Sequence, residues 1–77
     1  MQEIISQSDK DVINEIEQIL LLEEDISTDN VMVTCQNGKV TLTGAVDSLE
    51  DKQRLEDIVE DIPGVVMVNN DLEVVKI

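Results

Sequence analysis

The 77-residue chain has no His, no Phe, Tyr or Trp, and a single Cys. Without His there is no imidazole general base, no catalytic triad and no His-containing zinc or iron centre. One Cys rules out an internal disulfide framework and fits a reducing compartment. Cationic side chains are scarce too: five Lys and Arg stand against eighteen Asp and Glu, a formal net charge of -13. Nucleic-acid recognition needs clustered Lys and Arg and, on single strands, stacking aromatics, so the composition argues against DNA or RNA as a partner. Long apolar runs are also missing. The longest, residues 19–22 and 65–68, fall far short of the roughly 18–20 residues of a membrane span. Met1-Gln2-Glu3 has no basic stretch leading into an apolar one, which predicts no secretory signal and a cytoplasmic location.

Acidic, aromatic-poor chains often stay disordered because they bury too little apolar surface to offset chain entropy. Here, however, 42% of the residues are hydrophobic, and they recur with regular periods. The expected core is small and wholly aliphatic, supplying about 3–5 kcal/mol of net stability. Residues 1–7 read as an N-terminal arm with Ile4 and Ile5 as anchors, and residues 8–77 as one domain.

Ser8 followed by Asp9, Lys10 and Asp11 resembles a capping box. Val12, Ile13, Ile16, Ile19 and Leu20 follow at helical spacing, which predicts a helix over 9–22. Ile26 is the apolar plug of the loop that follows. From Val31 the period changes to two. Val31, Val33 and Cys35 alternate with Met32 and Thr34, Asn37-Gly38 interrupts, and Val40, Leu42 and Gly44 alternate with Thr41 and Thr43. Asn-Gly between alternating runs predicts a hairpin with a two-residue type I′ turn. Placing Gln36 opposite Lys39 sets Cys35/Val40, Val33/Leu42 and Val31/Gly44 on one apolar face and Thr34/Thr41 and Met32/Thr43 on the other.

Asp47 or Ser48 is placed to cap a second helix, with Glu50 and Asp51 favourable in its first turn. Leu55, Ile58, Val59 and Ile62 form its buried stripe, and Pro63-Gly64 ends it. A last strand over 66–75 puts Val68, Leu72 and Val74 on one face and Met67, Asn69, Asp71 and Glu73 on the other. The fold class is α+β in the order αββαβ. A right-handed crossover makes the last two strands parallel, so a small three-stranded mixed sheet carries both helices on one face.

Two blocks give these elements a family likeness. Residues 37–44, Asn-Gly-Lys-Val-Thr-Leu-Thr-Gly, and the closing Pro63-Gly64-Val65, Val68, Asn70, Leu72 and Val74 are similar to the two signature stretches of the BON domain. That domain is named for bacterial osmotically inducible and nodulation proteins. The likeness covers residues 8–76. It implies a non-enzymatic binding module of a kind common in envelope, periplasmic and stress-related proteins, with phospholipid association as the usual proposal. Two features depart from that pattern: the missing signal peptide, and an acidic charge that an anionic leaflet would repel.

Cys35 has no His or cation beside it on its own face and reads as a core thiol. The acids around Glu23, Glu24, Asp25 and Asp29, and those at Asp57, Glu60 and Asp61, lack the ligand and glycine spacing of an EF-hand loop and read as solvated faces. Asp47-Ser48-Leu49 resembles the attachment motif of acyl carrier proteins, with Ser48 as the carrier serine, but those are helical bundles and the chain after Ser48 ends in a strand. Asn70 sits on an apolar strand face, where a bulge or an edge hydrogen bond would accommodate it; the functional alternative is a polar handle in a binding groove.

No catalytic residue, metal ligand or cofactor site can be assembled, and none is expected. The candidate interaction surface is the outer sheet face, Met32, Thr34, Thr41, Thr43, Met67 and Asn69, serving a protein partner or a homo-oligomer. The alternative is a phospholipid or small hydrophobic ligand.

Overall fold

The computed structural model describes residues 9–75. The N-terminal arm with Ile4 and Ile5, and Ser8 as a cap, lie outside the described residues. The elements are α1 (Asp9–Leu22), β1 (Val31–Gln36), β2 (Lys39–Val46), α2 (Leu49–Glu60), β3 (Met67–Asn70) and β4 (Glu73–Val74). The first helix has the bounds that its apolar spacing predicts.

Each element follows from local chemistry. Val12, Ile16 and Leu20 recur every four residues and are the buried stripe of α1. Asn37 and Gly38 have φ of 54° and 82°, the left-handed pair that a type I′ turn demands. The hairpin register follows, from Gln36 opposite Lys39 to Val31 opposite Gly44. Ser48 caps α2, its Oγ accepting the Asp51 N–H at 3.1 Å. Leu55, Val59 and Ile62 are buried, while Ile58 lies at the margin of the stripe. Past Glu60 the chain leaves the helix at Asp61 and turns through Gly64, at φ 96°.

The sheet differs from expectation in one respect: it has four strands rather than three. β2 is central, antiparallel to β1 and parallel to both β3 and β4. Lys39 faces Met67 and Ala45 faces Glu73, the same offset, so β4 continues the register of β3 with no inserted residue. The expected last strand is therefore present but broken at residues 71–72. An Asx turn accounts for the break, because Asn70 Oδ1 accepts the Leu72 N–H at 3.3 Å. The Asp71 N–H still reaches Leu42 O at 2.8 Å, and the alternation of faces survives.

α1 packs over β1, and α2 over β2, β3 and β4. Both helices cover the same face of the sheet. Between them lie Val40, Leu42 and Val46 of β2, with Ile26 and Leu72 closing the ends of an entirely aliphatic core. Among the described residues no polar or charged side chain is buried in it. A core this small has no room for an unpaired polar group, which would cost about 1–3 kcal/mol.

Candidate functional site

The face opposite the helices is assembled by strand alternation alone. Register aligns Thr34, Thr41 and Asn69 in one row across three strands and sets Met32 opposite Thr43. Met67 lies beside Lys39. The six residues of the expected surface thus share one face. Met32 and Met67 are 66% and 56% exposed. Thr34, Thr43 and Asn69 are exposed, and Thr41 is half-buried because β2 has neighbours on both sides. Val75 adds apolar surface near the end of the described chain. Asp71 and Glu73 project on the same face, so it is mixed in character rather than a greasy patch.

At the hairpin tip, Asp9 of α1 receives three donors. The Asn37 N–H donates to Oδ2 at 2.9 Å, and the Gly38 N–H donates to Oδ1 at 3.1 Å. The Cys35 thiol donates to Oδ1 at 3.5 Å. The two backbone donors, Asn37 first, hold the Asp9 carboxyl below its ordinary value. Burial pushes the Cys35 thiol up, and the bond to Asp9 adds to the rise. Cys35 is half-buried against the core and, among the described residues, has no activating cation. Its thiol is thus the reverse of an activated nucleophile. Nothing in the sequence signalled this arrangement, since Asp9 reads there as an ordinary first-turn acid.

Asn70 also has a structural task. Its amide donates to Lys52 O at 2.9 Å and to Glu56 Oε1 at 3.0 Å, tying β3 to α2 while its Oδ1 makes the Asx turn. Ser48 is occupied as a helix cap. The helical bundle that the acyl-carrier reading requires is not the fold. Of the acidic groups, Glu23 pairs with Arg54 at 3.6 Å. Among the described residues no three His, Cys, Asp or Glu side chains converge as metal ligands would.

Leu21, 73% exposed, lies off the buried stripe of α1, and with Leu20 and Glu17 it walls a groove of about 380 Å³ whose other side is Val31, Met32 and Val33 of β1. The apolar run 19–22 was its only trace, because an amphipathic helix needs just part of that run for its core face.

No described helix is long and apolar enough to cross a membrane. The BON domain family model matches residues 8–76, nearly the whole chain. No curated protein matches it in sequence.

Proposed function

The chain belongs to the BON domain family, and from that premise we propose that it is a binding module whose contact surface is the helix-free face of the sheet, engaged by a protein partner or a second copy. Membership is consistent with non-enzymatic binding. The observation that carries the finer reading is the packing of α1 and α2 on the same side, so that no helix among the described residues covers Met32, Thr34, Thr41, Thr43, Met67 and Asn69. Methionine suits such a surface because its flexible thioether adapts to a partner, and threonine rows add adjustable hydroxyls. The proposal includes a reducing compartment, in keeping with the free Cys35 thiol. Protein contact is favoured over an anionic bilayer by the charge of -13.

The test is light scattering of the full chain over a range of concentrations, then pull-down from its native cell, each repeated with Met32→Glu and Met67→Glu. Loss of self-association or of the captured partner in these variants supports the reading. A chain that stays monomeric, with partner capture indifferent to both substitutions, overturns it. Salt-insensitive flotation with vesicles would replace it with the lipid reading.

A further inference from the structure

The two edges of the sheet are built differently. On the β3–β4 side the strands are short and broken, the Leu72 N–H is taken up by Asn70, and Asp71 and Glu73 add charge. These are the devices that keep an edge from pairing with another chain. On the β1 side, among the described residues, Val31–Gln36 is an unbroken six-residue strand with no charge, no Pro and no bulge.

Hairpin geometry decides which backbone groups that edge offers. Gln36 and Lys39 close the turn as a hydrogen-bonded pair, and such pairs alternate along the ladder, so Thr34 and Met32 also bond to β2. Val33 and Cys35 therefore direct their N–H and C=O groups outward. The Val31 N–H, also outward, is used by Thr28 O at 3.1 Å. Among the described residues no strand pairs on this side.

Directly beside the edge lies the groove between α1 and β1, walled by Leu20 and Leu21 with Glu17 on its lip. Among the described residues Glu17 has no ion-pair partner. We propose that the outer edge of β1 is a strand-addition site for an extended segment of a partner protein, apolar at alternate positions and carrying Lys or Arg. The added strand would pair with Val33 and Cys35, drop alternate side chains toward Leu20 and Leu21, and present a cation to Glu17. Main-chain pairing supplies affinity in this mode, and side-chain pockets supply selectivity. Charge selects the occupant. A basic segment meets both the Glu17 carboxylate and the overall charge of -13, whereas a second copy would bring like charge to the same lip. This site uses the edge and shares only Met32 with the open face, so Met67→Glu separates the two readings.

The test uses the full chain and a blocked hexapeptide, Thr-Val-Thr-Lys-Thr-Val, whose Val and Lys side chains share one face, with amide hydrogen exchange and fluorescence anisotropy as readouts. The controls are the same peptide with Glu for Lys, and one with Pro for the Val residues. The Lys-containing peptide is expected to slow exchange at Val33 and Cys35 about tenfold or more, with residues 67–70 unchanged. Glu17→Lys, a surface change that leaves the core intact, is expected to weaken that peptide about threefold to tenfold and to favour the Glu version. Met67→Glu, which disables the face, should leave edge binding in place. Three results would overturn the proposal: equal binding of the Pro peptide, which means attraction by charge alone; protection spread over both edges; or Val33 and Cys35 already protected without peptide. The last would mean that the chain's own first residues occupy the edge or, if protection rises with concentration, a second copy.

Discussion

Asp9, the first residue of α1, accepts the backbone N–H of Gly38 at 3.1 Å and so ties the start of the first helix to the tip of the hairpin. Together with the 2.9 Å bond from Asn37, it satisfies two donors of a tight turn with one carboxylate. The bonds favour the ionised form and lower the pKa below the reference of 3.8. A depressed carboxyl contributes stability above its unfolded pKa and loses it as pH falls through the folded one. Asp9→Ala should therefore lower the Tm by a constant few degrees near neutral pH, and the gap from the unmodified chain should close below pH 3.8. Thermal melts across that range check this; a gap that persists in acid would mean the carboxylate is not the cause.

The Cys35 thiol should react slowly with a maleimide in the folded protein, because burial first and Asp9 second hold it protonated. Asp9→Asn removes the negative neighbour and should speed labelling while the fold persists. A native rate equal to that of the urea-unfolded chain would contradict the half-buried placement.

Asn70→Ala removes three hydrogen bonds at once and leaves Lys52 O, Glu56 and the Leu72 N–H to find other partners. Urea unfolding should show a loss of about 1–3 kcal/mol. Asn70→Asp should be worse than Asn70→Ala at neutral pH, since it sets a carboxylate against Glu56.

Gly44→Ala tests a close backbone approach. Gly44 has φ 114°, and an added Cβ would overlap the carbonyl oxygen of Asn30, whose own bond to the Ala45 N–H holds that backbone in place. The expected loss is about 2–4 kcal/mol by urea unfolding. A neutral substitution would show that the 30–31 backbone yields.

Charge repulsion should be measurable too. Glu56 and Glu60, and Asp57 and Asp61, are like-charge pairs one turn apart at the end of α2, within a chain of net charge -13. Raising salt from about 0.01 M to about 0.15 M shortens the screening length severalfold and should raise the Tm. A flat response would mean that these carboxylates are already solvated enough not to interact.

Neighbours along the chain specify the helices, the hairpin turn and the faces of the strands. The four-residue spacing of Val12, Ile16 and Leu20 specifies a helix. Asn37-Gly38 specifies the turn and, through it, the pairing from Gln36/Lys39 to Val31/Gly44. Ser48 caps its helix because a hydroxyl there reaches an N–H three residues on. Even the residues of the open face were legible, since a strand's alternation decides which side chains share a side.

Tertiary structure decided what depends on partners distant in sequence. Asp9 and Gly38 are 29 residues apart, and only the packing of α1 over β1 makes one the anchor of the other. Asn70 looked like a polar intruder on an apolar face until α2 supplied the Lys52 carbonyl and Glu56 for its amide. The break between β3 and β4, and hence the contrast between that interrupted edge and the continuous strand β1, follows from that same side chain turning back on its backbone. Periodicity specifies which way a side chain points. It carries no information about which polar group from another element will be waiting there, because that depends on how helices and sheet settle against each other over the shared aliphatic core.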